Sequence, residues 1–121
     1  MQSTSARLLA LLAAVATLVL VAATSGSEVR PYVVTAIDYH FHDAHPTLPI
    51  GPGRDLIVRN QGRNVHNVTI PALGFSQDVR PGGEVVIDSI GDRLEPGRYE
   101  LFCEIHLAGF GMKGVIVISP E

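Results

Sequence analysis

The sequence predicts an all-β protein, folded as a Greek-key sandwich or small barrel. Glycine and proline are frequent, with 12 and 8 in 121 residues, and they separate short stretches in which apolar and polar residues alternate. After the first 23 residues, no segment has the 3.6-residue apolar period of an amphipathic helix. Short strands joined by turns pack as two antiparallel sheets or close into a barrel.

The N-terminal segment is predicted to precede this domain. It carries one basic residue, Arg7, then an apolar run over residues 8–23, and it ends in small residues. This layout is typical of a secretory signal peptide, with cleavage after Ala23 and, as a less favoured alternative, at Gly26. The run is shorter than the roughly 20 residues that span a bilayer, although retention as a membrane anchor stays an alternative. We expect a domain over residues 24–121 outside the cytoplasm, in the periplasm, at the cell surface or secreted.

The strands are predicted in order along this domain. The first covers residues 29–41 and contains a bulge, because its apolar positions change register. A loop follows, since residues 43–54 hold three prolines and two glycines. Turns are expected at 60–64 and 80–84. The remaining predicted strands cover residues 55–60, 67–70, 84–90, 98–102 and 114–119.

Three histidines lie close together in and after the first predicted strand. His40 and His42 are two positions apart and therefore face the same side, whereas Tyr39 and Phe41 are predicted to point inward. A solvated outer face is the favoured interpretation of the two histidines. A second metal site that includes His45 stays open as an alternative.

The only cysteine of the chain, Cys103, lies in the loop between the last two predicted strands, together with His106 and Met112. A single cysteine cannot form an internal disulfide, so it is either an inert buried residue or reserved for chemistry. Thiolate, imidazole and thioether together suit copper, whereas zinc rarely takes a thioether and calcium or magnesium prefer oxygen. A trigonal copper site needs a second imidazole, and His66 lies at a junction between a turn and a strand.

Other chemistry at this loop is less favoured. A cysteine nucleophile paired with histidine lacks an evident third group to orient it, and it would leave Met112 without a role. Glu104 and Lys113 are interpreted as solvated loop charges.

Four motifs resemble one family, the cupredoxins, which are blue copper proteins that include plastocyanin, amicyanin and azurin. The motifs are VHNVT, PGGE, GRYELFCEIH and GMKGVIVIS. The resemblance covers nearly all of residues 24–121 and implies a β-sandwich of cupredoxin type.

The resemblance also implies a site with one type 1 copper ion. His66, Cys103 and His106 would form the trigonal plane, and Met112 would be the weak axial ligand. The backbone amide of Asn67 would donate to the cysteine sulfur, and its side chain would brace the loop. Five residues separate His106 from Met112, more than in plastocyanin or amicyanin, which leaves Met112 the least constrained ligand.

The implied function is electron transfer rather than catalysis, through brief docking of a monomer with redox proteins. Leu107, Ala108 and Phe110 are expected to form an apolar patch near His106, called the docking patch below. The net charge of −3 and the lack of a basic run argue against a nucleic-acid partner. A periplasmic copper carrier or storage protein and a metal-free interaction domain stay open as alternatives.

Overall fold

The computed structural model describes residues 29–44 and 48–120, and within them it confirms the predicted all-β sandwich. The strands are β1 (Tyr32–Ile37), β2 (His40–His42), β3 (Leu56–Asn60), β4 (His66–Ile70), β5 (Phe75–Val79), β6 (Glu84–Ile87), β7 (Gly97–Phe102) and β8 (Lys113–Ile118). The first sheet has the order β2-β1-β3-β6 and the second has the order β5-β4-β7-β8. All strand pairs are antiparallel except β1 with β3.

The core consists of the inward side chains of both sheets, which form one cluster. In β1 and β3 every second residue is buried, as expected for strands that cover a core on one face. Burial of each large apolar side chain contributes about 1.5–3 kcal/mol. The fully buried members include Val34, Ile50, Leu56, Val58, Val68, Ile70, Leu101 and Met112.

The prediction of one bulged strand over residues 29–41 was wrong. These residues form a hairpin, in which Ile37 of β1 pairs with His40 of β2 across a turn at Asp38 and Tyr39. Asp38 has a φ of 50°, a left-handed conformation that aspartate tolerates better than most residues. The shifted apolar register therefore marked a turn. Phe41 points inward as predicted, but Tyr39 lies at the turn and is only half-buried.

The strand β5 was not predicted. Three of its five residues are exposed, so its sequence lacks a clear apolar alternation, and its place is set by pairing with β4. The strand β6 ends at Ile87 rather than at residue 90, because Ser89 is in a left-handed conformation and a helical turn follows. That turn is α1 (Ile90–Arg93).

The turn α1 packs closely on the loop before β3. A Cβ atom at Gly91 would overlap the carbonyl oxygen of Gly51, so only glycine fits there without movement of the backbone. Asp92 accepts a hydrogen bond of 3.1 Å from the amide of Gly53 across the same contact.

The second sheet brings the two candidate ligand segments to one end of the sandwich. The strands β4 and β7 run antiparallel with Thr69 opposite Phe102, so the start of β4 lies beside the residues that follow β7. A 3-10 turn at Pro71–Leu73 follows β4, and after β7 the chain forms a short α-helix, α2 (Leu107–Phe110), before it enters β8. No helix in the described part of the chain is long and apolar enough to cross a membrane. The predicted signal peptide and His45 lie outside the described residues.

Candidate metal centre

Three of the four predicted ligands converge at this end of the sandwich. The Nδ1 atoms of His66 and His106 are 3.2 Å apart, and the Sγ atom of Cys103 is 3.4 Å from the Nδ1 atom of His106. One ligand atom from each of the three residues lies within 4.8 Å of the others. The three side chains therefore form a candidate metal site.

The spacing and chemistry of these donors fit a single ion. A metal–imidazole bond is about 2.0–2.1 Å long, so one ion can contact two nitrogen atoms that are 3.2 Å apart. A buried sulfur with two imidazoles is the donor set of a trigonal copper site. Within the described residues, Cys103 and His66 are fully buried and His106 is half-buried, so of the three donors His106 is the one that solvent reaches.

The His66 ring is held with its Nδ1 atom toward the other donors. Its Nε2 atom is buried and has no hydrogen-bond partner within the described residues. A Cβ atom at Gly62 would lie 3.1 Å from that nitrogen, so glycine leaves room for the ring. Burial lowers the pKa of His66 below 6.5, and His106 lowers it further, while Asp38 partly opposes the shift. The lowered pKa keeps His66 neutral, the form that binds a metal.

Asn67 links the first ligand strand to the cysteine. Its backbone amide donates a hydrogen bond of 3.2 Å to the Sγ atom of Cys103. Its side-chain nitrogen donates to Ser76 and Asp78 of β5, at 3.1 and 3.0 Å. Its side-chain oxygen accepts from the backbone amide of Glu104, at 3.3 Å. The loop after β7 is thus bound to both β4 and β5 through one buried side chain.

Met112 is fully buried at the far end of the same loop. The amide of Cys103 donates a hydrogen bond of 3.0 Å to the carbonyl of Met112, so the loop is closed at its base. The long spacer between His106 and Met112 folds as α2, with a bond of 3.0 Å from the amide of Phe110 to the carbonyl of His106. Gly111 ends this turn with a φ of 63°. The role of Met112 as axial ligand stays a prediction.

An aromatic cluster flanks His106. The rings of Tyr39 and Phe110 are stacked, with centroids 3.6 Å apart and planes at 2°. Both rings present an edge contact to His106, with centroid distances of 5.0 and 5.9 Å. Sequence reasoning missed Tyr39, because its position depends on the turn between β1 and β2. The one sequence signal for this turn was Asp38 at its first position, because aspartate favours turns.

The docking patch lies around this cluster. Ala108 and Phe110 are exposed and Leu107 is half-buried. Two further apolar side chains next to the candidate ligands, Val65 and Ile105, are also exposed, at 42% and 53%. Sequence reasoning did not include these two, although each directly precedes a histidine ligand candidate.

Comparison with protein-family models identifies the family of this chain. A family model described as a cupredoxin-like domain matches residues 9–118. No curated protein matches the chain.

Solved structures of amicyanin share the fold. The structure of amicyanin from Paracoccus versutus (Thiobacillus versutus) has a TM-score of 0.56 at 19% identity, covering 74% of this chain and 81% of that one. A reduced state of an amicyanin mutant gives 0.57 at 19% identity, with coverages of 74% and 82%. At this level of identity the likeness concerns the fold alone. Because the family model spans most of the chain, the protein belongs to the cupredoxin-like domain family.

Proposed function

We propose that this protein is an exported, mononuclear type 1 copper protein that carries single electrons between redox proteins. The observation that carries the proposal is the convergence of two imidazole nitrogens and one thiol sulfur within 4.8 Å. Bound copper would alternate between Cu(II) and Cu(I) and so supply one-electron chemistry.

The chain's own residues would hold the ion in a fixed geometry. His66, Cys103 and His106 would hold the ion, and Met112 is proposed as a fourth ligand. The amide of Asn67 donates a hydrogen bond to the sulfur of Cys103 and so helps to hold this proposed ligand in place. Such bonds around a ligand orient it and tune the potential of a metal site.

Full coordination by the protein favours a carrier over an enzyme. Four protein donors leave no open position for a substrate, unlike the metal centres that activate water. Burial of Cys103 and His66 keeps solvent away from that side of the site. The half-buried His106 is then the proposed route for the electron, and the docking patch beside it would meet redox partners as a small, transient interface.

The first test is the visible absorption spectrum after addition of Cu(II). We expect an intense blue band from a copper–thiolate bond in the wild type, and its loss in Cys103→Ser. The matched control is Glu104→Gln, which changes the next residue, has an exposed side chain and should keep the band. Copper binding with no blue band would contradict the proposal and favour copper transport or storage.

A second measurement tests electron transfer itself. Voltammetry of the copper-loaded protein should give a reversible one-electron wave, because a fixed ligand set leaves little to rearrange. An irreversible wave, or rapid loss of copper on reduction, would contradict the carrier role. Export is tested separately by N-terminal sequencing of the processed protein, which should begin after Ala23.

A further inference from the structure

His40 and His42 lie on the short strand β2, at the edge of the first sheet. Both side chains are exposed, and Phe41 between them is buried. The two rings therefore project from the same outer face of an edge strand, as alternate residues do.

The two rings are close enough to share one ion. Their centroids are 6.1 Å apart, with an angle of 73° between the planes. A metal–imidazole bond of about 2.0–2.1 Å places an ion about 3.2 Å from the centroid of a liganding ring. One ion between two rings therefore spans centroid distances up to about 6.4 Å. Exposed side chains change rotamer within nanoseconds, so small rotations of His40 and His42 can bring a nitrogen of each to the ion.

In the described part of the chain, the two imidazoles have no hydrogen-bond partner and no other aromatic partner. Their one ring contact is with each other. The residues opposite them on β1 are Ile37 and Thr35, which bring no charge. Beyond Thr35 the register reaches Arg59 of β3, but that guanidinium is paired with Glu84 at 3.1 Å. A bound cation would thus meet no uncompensated positive charge across these strands.

We propose that His40 and His42 form a second, surface-exposed site for a divalent transition-metal ion, separate from the buried candidate centre. Imidazole ligands suit zinc, nickel and copper, and among these the affinity order places Cu(II) first. Water would complete the coordination, because both side chains face solvent. The site does not depend on the proposed electron-carrier function, since it shares no residue with the buried donors.

The test is a titration with two equivalents of Cu(II). The first is followed by the visible absorption band, and the second by electron paramagnetic resonance, which reports nitrogen ligation. We expect the second equivalent to bind with nitrogen coupling and without further growth of the blue band. Affinity is measured by competition with glycine. The double variant His40→Gln/His42→Gln should weaken binding of this equivalent about 100-fold, because the chelating pair is lost.

The matched control is Thr35→Val, which alters the same face opposite His42 without removing an imidazole. It should bind the second equivalent as the wild type does. The proposal fails if no second equivalent binds, or if the double variant binds it with an affinity within threefold of the wild type. If the blue band never forms, the electron-carrier proposal fails instead, and nitrogen-coupled Cu(II) lost only in the double variant would still support the His40 and His42 site.

Discussion

Replacement of Asn67 by alanine tests how the loop between β7 and β8 is held in place. The side chain is 3% exposed and takes part in four hydrogen bonds. It donates to Ser76 and Asp78 and accepts from Thr69 and from the amide of Glu104. Asn67→Ala removes all four bonds but keeps the backbone amide that donates to the cysteine sulfur.

The expected loss follows from the number and burial of these bonds. A net contribution of about 1 kcal/mol for each gives a total of about 4 kcal/mol. Ser76 and Asp78 are exposed and can bond to water instead, which reduces the loss to about 3 kcal/mol. This is a large part of the roughly 5–15 kcal/mol that stabilises a small domain.

The assay is urea unfolding of the metal-free protein, with Ser76→Ala as the matched control. That variant loses the bonds of one exposed hydroxyl and should cost about 1 kcal/mol. The blue band of copper-loaded Asn67→Ala should persist, because the bond to the sulfur comes from the main chain. A loss for Asn67→Ala no greater than that for Ser76→Ala would refute the idea that this side chain holds the loop.

Three further predictions concern packing, pH and docking. Gly91→Ala should lower the free energy of unfolding by about 2 kcal/mol or more, because the new methyl overlaps the carbonyl of Gly51. Gly109→Ala, whose methyl would meet nothing within 4 Å, should change it little. Because the pKa of His66 is lowered in the folded metal-free protein, the unfolded chain binds more protons between that pKa and 6.5, and stability should fall as the pH drops through this window. Between about pH 7.5 and about pH 5.5, the free energy of urea unfolding should fall less in His66→Gln than in the wild type. An equal fall in both proteins would contradict this. Phe110→Ala should slow electron self-exchange between copies about tenfold, measured by line broadening, while oxidation by a small inorganic oxidant stays unchanged; an unchanged self-exchange rate would count against the docking patch.

The sequence was sufficient to predict the strands with strong apolar alternation. The segments that became β3, β7 and β8 were placed to within one residue at each end, because their inward residues recur at every second position. The exposed edge strand β5 lacked that signal, and the hairpin of β1 and β2 was interpreted as one bulged strand. In both cases the structure is set by pairing with the preceding strand, β4 for β5 and β1 for β2, and apolar alternation within one segment does not report such pairing.

The candidate site was predictable for a different reason. Cys103 and His106 are close in sequence, so their grouping needs only one loop, and His66 was identified through its motif, whereas the role of Met112 stays a prediction. Tyr39 lies 67 positions from His106 along the chain, and its contact with that ring depends on the sandwich as a whole. The position of the Tyr39 and Phe110 stack follows from tertiary packing, which alternation and motifs do not encode.

The hydrogen bond that joins the two ends of the loop between β7 and β8 affects which residues of this loop can change. The bond between the amide of Cys103 and the carbonyl of Met112 joins the two ends of the loop whatever lies between them. We therefore expect exchanges of the exposed residues of α2 to have little effect on where the loop leaves β7 and enters β8. We expect related chains to vary in α2 while they keep the residues at the base of this loop.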